Sequence, residues 1–168
     1  MEQFSKESIT SKRTRPSNQQ DEESQISAVI EGINEAFRAK DLDKIMSFYA
    51  EDVVAYDMMP PLEFNGRDEY RKAWKMGLDG MSEVGAFEDT HRQIHVSGDL
   101  AILHSLCHMT GTLKKDNRKM DMWSRYTSAF KKIDDKWLII HEQFSVPIDM
   151  ESEKAIWDLK PNDTGPMH

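Results

Sequence analysis

The sequence predicts a single α+β domain in which helices come first and a long-stranded antiparallel sheet follows. Three observations lead there. Apolar residues recur at helical spacing through the first part of the chain. They give way to long β-type runs after about residue 87, and those runs are joined by short turn-forming segments. Helices followed by a strand meander pack on one face of the sheet instead of alternating with its strands. A length of 168 residues suits one such domain.

Residues 1–20 hold few large apolar side chains (Met1, Phe4, Ile9) among Ser, Thr, Gln and basic residues. Such a stretch cannot bury enough surface to offset the entropy of ordering, so a disordered tail is expected. The domain is assigned to residues 21–149. Helix one is expected from about Glu22 to Ala39, where Ile26, Val29, Ile30, Ile33 and Phe37 form one stripe. Acids at its start and Arg38 and Lys40 at its end match the helix dipole. Asp41 caps a short second helix with Leu42, Ile45, Met46 and Tyr49 on one face. Val53 to Asp57 reads as a strand that Pro60-Pro61 breaks. A third helix begins near Arg67, carries Tyr70, Ala73, Trp74 and Leu78 on one side, and stops around Gly77 to Gly80.

The β-type runs are Phe87–Val96, Leu100–Leu113, Lys119–Lys131 and Trp137–Val146. Ser97-Gly98-Asp99, Lys115-Asp116-Asn117 and Asp134-Asp135 connect them. Residues 150–168 form an extension, in which Met150–Leu159 can add a short helix packing Ile156 and Trp157 before a frayed end.

A net charge of −8 argues against a nucleic-acid surface, which needs a concentrated basic face. No stretch approaches the ~20 apolar residues of a membrane span, so no membrane partner is expected. Cys107, the single cysteine, has no internal partner, and a reducing, cytoplasmic location is the natural expectation. No Gly-rich phosphate loop or nucleophile elbow is present. His91 with His95, and His104 with His108, share strand faces without a carboxylate or cysteine to complete a ligand set. Neither a metal nor another cofactor is expected.

The closing hairpin gathers polar residues. With Ile133-Asp134-Asp135 as a three-residue loop, Arg125 lies opposite Gln143, Thr127 faces His141 and Trp123 faces Ser145. All six then point to one side, taken as the interior, and alternate with Leu138, Ile140 and Phe144. A two-residue turn would slip the register and set Arg125 beside Phe144 and Glu142. A buried Arg needs an anion, either a protein acid such as Asp57 or Glu142 or a ligand carboxylate. Trp74 and Trp123, with Met58, Met59 and Met76, read as core or as walls of a pocket for a flat, greasy ligand.

Three stretches resemble the nuclear transport factor 2-like superfamily, in its SnoaL-like and ketosteroid isomerase-like branch. They are AFRAKDLDKIMSFYAEDVVAYD ending at Asp57, NGRDEYRKAW from Asn65, and MWSRYTSAFKKIDDKWLIIHEQFSVP from Met122 to Pro147. The last also resembles the association domain of calcium/calmodulin-dependent kinase II. The resemblance implies a cone-shaped, cystatin-like sheet curved around about three helices, with one interior pocket. It sets Asp57 where that branch carries its proton-abstracting Asp and Ile33 where it carries an oxyanion-stabilising Tyr. Gln143 stands where relatives carry a second His after His141.

Two functional readings follow. One is an isomerase, hydrolase or cyclase acting on a small, partly hydrophobic molecule. Asp57 is its general base, His141 and Arg125 complete the catalytic set, and Trp74, Trp123, Thr127, Gln143 and Ser145 bind the ligand. The other is a non-catalytic ligand-binding or homo-oligomerisation module. Either predicts a homodimer, formed through an apolar sheet face assigned to Leu138, Ile140, Phe144, Tyr126 and Phe130.

Overall fold

In the computed structural model, residues 17–163 are described, so most of the expected tail lies outside the described residues. The elements run α1 (Ser17–Arg38), α2 (Leu42–Met46), β1 (Tyr49–Tyr56), β2 (Phe64–Asn65), α3 (Arg67–Asp79), β3 (Met81–Ser97), β4 (Leu100–Leu113), β5 (Lys119–Ile133) and β6 (Lys136–Ser145). A small hairpin of β7 (Ile148–Asp149) and β8 (Lys154–Ala155) closes the chain.

The main sheet has six strands in the order β2-β1-β6-β5-β4-β3. Every neighbouring pair is antiparallel except β1 and β6, which run parallel because the chain crosses through α3 and the meander before β6 returns beside β1. The sheet is therefore mixed. Register shifts in β3 at Met81/Glu83, Val84/Phe87 and Thr90/Gln93 bend it against β4, since each bulge kinks its strand and adds twist.

The apolar stripe expected of helix one is its buried face. Ile26, Ile30, Ile33 and Phe37 pack with Phe130, Trp137 and Ile139 in one core. Each such side chain contributes roughly 1.5–3 kcal/mol by leaving water. Two basic groups at the end of α1 fasten it to β3, with Arg38 Nη1 donating to the Phe87 carbonyl at 2.9 Å and Lys40 Nζ to that of Met81 at 2.7 Å. Near its start, Glu22 accepts from Trp137 Nε1 at 2.6 Å and from Lys132 Nζ at 2.8 Å, which fixes α1 to the β5–β6 hairpin.

Three expectations are corrected. Helix α1 begins at Ser17, inside the stretch assigned to the tail. Tyr49 opens β1 instead of closing the second helix. Residues 150–159 form no helix: Asp149 Oδ1 accepts from the Glu151 and Ser152 amides at 2.9 and 2.8 Å, Glu153 takes a φ of 56°, and the chain turns back as β8. A short acid that bonds the amides just after it offers the backbone a turn in place of a helix.

Candidate active site

Three strands and a helix converge on one buried carboxyl group. Glu142, on β6, is 1% exposed, and every neighbour that contacts its oxygens is a tyrosine hydroxyl. Tyr49 from β1 reaches Oε1 and Oε2 at 3.0 and 3.1 Å. Tyr126 from β5 donates to Oε2 at 2.9 Å, and Tyr70 from α3 makes a short hydrogen bond to Oε1. Removal from water pushes the carboxyl up, the three hydroxyls pull it back, and the charge of Asp57 adds a further push, leaving it at about 7. Burial is the main cause, as expected for a carboxylate with no cation beside it. The tyrosines are driven the other way. Burial and the Glu142 charge hold all three hydroxyls protonated, well above the usual tyrosine value.

Glu142, Tyr49 and Tyr126 border a cavity of about 20 Å³ with Asn34, Ile33 and Cys107. That is room for one water-sized group. Trp74, Phe87 and Phe144 form a wall shared with a second space, an open cleft of about 350 Å³. The cleft is lined by Phe37, Trp157 and methionines including Met59, Met81, Met109 and Met122, and Asp57 stands at its edge. Methionine walls adapt to irregular apolar shapes. Among the described residues, no Lys, Arg or His borders either space.

Asp57 accepts from the Met59 amide at 3.1 Å and lies 3.5 Å from the Tyr70 hydroxyl. It both bonds the turn after β1 and faces the cleft. Trp74 also lies in the site, edge-on to Tyr70 with ring centroids 6.0 Å apart. The Trp74 indole nitrogen is buried with the Tyr49 hydroxyl as its polar neighbour, close enough to favour ionisation of Tyr49 but without hydrogen-bond geometry of good quality.

The other expected site residues are elsewhere. Arg125 pairs with Ser145, Thr127 with Gln143 and Ala129 with His141, two positions away from the expected register. The cause is twofold. Asp134 and Asp135 both take positive φ, 48° and 62°, which makes a two-residue turn of the kind that matches strand twist. A shift at Ala129/Phe130 then adds the second step. An offset of two keeps Trp123, Arg125, Thr127, His141, Gln143 and Ser145 on a common face, but that face is the outer one. Met122, Ser124, Tyr126, Ser128 and Phe130 are the buried residues of β5, and Trp137, Ile139 and Glu142 are those of β6.

On the outer face, Arg125 and Gln143 are exposed. Trp123 stacks on His108 at 4.5 Å. His141 donates its Nδ1–H to the Val54 carbonyl at 2.8 Å, clipping β6 to β1. The apolar dimer face expected on that side is corrected in the same way, because Tyr126, Phe130 and Phe144 turn inward. Glu142, Tyr49 and Tyr126 were not singled out by sequence reasoning. The available signal was the acid at the inward position of β6 between Ile139 and Phe144.

The chain belongs to the SnoaL-like domain family, whose pattern matches residues 26–149. No curated protein matches it in sequence. Among solved structures, an NTF2-like protein of unknown function from Pseudomonas putida KT2440 is 34% identical, with 84% of this chain and 98% of that one covered and a TM-score of 0.76. A protein from Xanthomonas campestris, provisionally named a calcium/calmodulin dependent protein kinase II association domain, is 25% identical over 71% of this chain and 84% of its own, at TM-score 0.63. A provisionally named scytalone dehydratase from Novosphingobium aromaticivorans DSM 12444 shares the fold at 14% identity, 89% and 97% coverage and TM-score 0.70. The α+β fold expected from the sequence is thus that of its relatives. No helix among the described residues is long and apolar enough to cross a membrane.

Proposed function

We propose that the chain is a small-molecule enzyme that moves a proton at carbon, with Glu142 as the proton carrier. The supporting observation is one buried carboxyl, set at about 7 and bound by three tyrosine hydroxyls, at a cavity next to an apolar cleft. A group that titrates near neutrality can both take and return a proton at working pH. For a ligand carbonyl, Glu142 removes a hydrogen from the adjacent carbon and the bonding electrons move to the carbonyl oxygen.

Once protonated, Glu142 is a weaker acceptor for the tyrosines it held as an anion. One O–H is released to the oxygen that gains charge, where a donor is worth about 2.7–4 kcal/mol. This answers the missing tyrosine at Ile33, because Tyr49, Tyr70 and Tyr126 bring hydroxyls from other elements. Return of the proton at another carbon completes an isomerisation. Loss of a β-hydroxyl as water completes a dehydration, an activity carried in the names of two fold neighbours. Asp57 acts through its charge, which helps to keep the carboxyl of Glu142 high.

The test is exchange of the α-hydrogens of α-tetralone for deuterium, followed by proton NMR. Exchange catalysed by the native protein and lost in Glu142→Gln, but retained in Asp57→Asn, is expected. Loss in Asp57→Asn alone would return the base role to Asp57, and no exchange of a ketone shown to be bound would dismiss the acid–base reading.

A homodimer formed through the outer face accompanies this proposal, since Leu100 and Ile102 on β4 are 48% and 46% exposed. Light scattering giving a dimer at micromolar concentration is expected, and a monomer would contradict it. A non-catalytic assembly module is the second reading, favoured by the likeness to the Xanthomonas campestris protein. It predicts that Glu142→Gln leaves every ligand-dependent property unchanged.

A further inference from the structure

Resting on the reading of the cleft as a ligand site, we infer that its ligand is an uncharged molecule with an apolar body and one hydrogen-bonding oxygen at its inner end. The two spaces divide the work. The inner one, about 20 Å³, admits a single oxygen-sized group and is the polar part, with Asn34, Tyr49, Tyr126 and Glu142 on its walls. The outer one, about 350 Å³, offers hydrocarbon and thioether surface suited to a body of one or two rings. They share Trp74, Phe87 and Phe144 as lining residues, and the inferred ligand reaches across that boundary from the outer space to the inner one.

Charge decides the class. Asp57 and Glu142 face these spaces, and among the described residues no basic side chain lines them. A third carboxylate, Asp89, borders the inner space, with its charge taken up by Arg92, whose nitrogens lie 2.5 and 2.6 Å from its oxygens. An anionic ligand would bury its charge in an apolar cleft beside like charges, which costs binding twice over. The junction is instead short of an acceptor. The Trp74 indole N–H is buried in the shared wall with the Tyr49 hydroxyl as its polar neighbour but makes no hydrogen bond of good geometry, a poorly satisfied donor of the kind that folded proteins rarely leave. A carbonyl or ether oxygen arriving there supplies the missing acceptor without adding charge.

The experiment compares equilibrium binding of α-tetralone, tetralin and tetralin-2-carboxylate to the full chain at pH 8 by calorimetry. Trp indole N–H signals are followed by nitrogen–proton NMR in parallel. The ketone should bind about three- to tenfold more tightly than the hydrocarbon, the range one net hydrogen bond supplies, and at least tenfold more tightly than the acid. One indole N–H signal should move with the ketone and stay with tetralin. Trp74→Phe should remove both that signal and the preference, and the shift in the native protein stands as evidence if the variant does not fold.

Equal binding of ketone and hydrocarbon, or acid binding that matches the ketone, overturns the inference while the cleft stands as a ligand site. No binding of any of the three overturns both. Since no turnover is needed, the outcome is separate from that of the deuterium exchange.

Discussion

Replacing Glu142 by Gln should remove the pH dependence that this carboxyl imposes on folding. In the unfolded chain the group titrates at 4.5, and in the folded protein at about 7. Between those values the native state holds a proton that the unfolded state has lost, so stability falls as pH rises. The stabilising share is fully present below 4.5 and is lost as pH passes through about 7. Each pH unit of the interval is worth about 1.36 kcal/mol, which gives about 3 kcal/mol in total. Gln keeps the shape and the acceptor oxygen but does not titrate.

Urea unfolding of both proteins by circular dichroism, at pH 5 to 8, gives the difference in unfolding free energy at each pH. Other titrating groups cancel in that difference. Glu142→Gln should gain on the native protein by about 2.5 kcal/mol from pH 5 to 8, the rest of the total lying below pH 5. A flat difference would refute the reasoning, because it would mean that Glu142 titrates alike in both states.

Tyr126→Phe should cost about 1–3 kcal/mol at pH 8, where it leaves a buried carboxylate with one donor fewer. The cost should shrink at pH 5, and an equal cost at both values in urea melts would contradict the charge argument. Phe130→Ala, at a core position with no exposure, should cost about 3–5 kcal/mol by thermal or urea unfolding; a loss under ~1 kcal/mol would show that the site collapses freely. The Cys107 thiol is pushed up to about 12, chiefly by burial, so a disulfide reagent at pH 8 should label it only at the rate of unfolding. Prompt labelling of the native protein would contradict its placement. Arg125→Ala, on the outer face, should change stability by no more than ~0.5 kcal/mol and leave ketone binding intact. A loss of binding would restore Arg125 to the site.

The helices and strands were legible in the sequence because their signals are local. The stripe from Ile26 to Phe37 and the long runs after Phe87 each follow from side-chain period alone. The mixed character of the sheet was not legible, because the pairing of β1 with β6 joins segments that no short-range pattern links. The site was legible in part. Asp57 and Trp74 both border the cleft, and each ends a segment that carries the family resemblance. The hairpin residues were misplaced because register depends on a turn and on an irregular step at Ala129/Phe130, and the second has no sequence marker.

A polar, convergent set of side chains mimics an interior site in sequence. The large apolar residues of the other face, Phe130, Trp137 and Ile139, had the stronger claim to the core. The sequence offers Glu142 only as a counter-ion for Arg125, because a lone acid on an inward position is rare. It is tolerable here only because hydroxyls from β1, α3 and β5, far apart in sequence, meet it.

A pH titration of the glutamate side-chain carboxyl carbons by carbon-13 NMR, with Glu142→Gln to assign the signal, tests that arrangement most directly. One resonance should turn over at about pH 7 and vanish in the variant. A Glu142 signal that turns over in the ordinary carboxylate range, near ~4.3, would contradict the buried proton carrier on which the proposed chemistry stands.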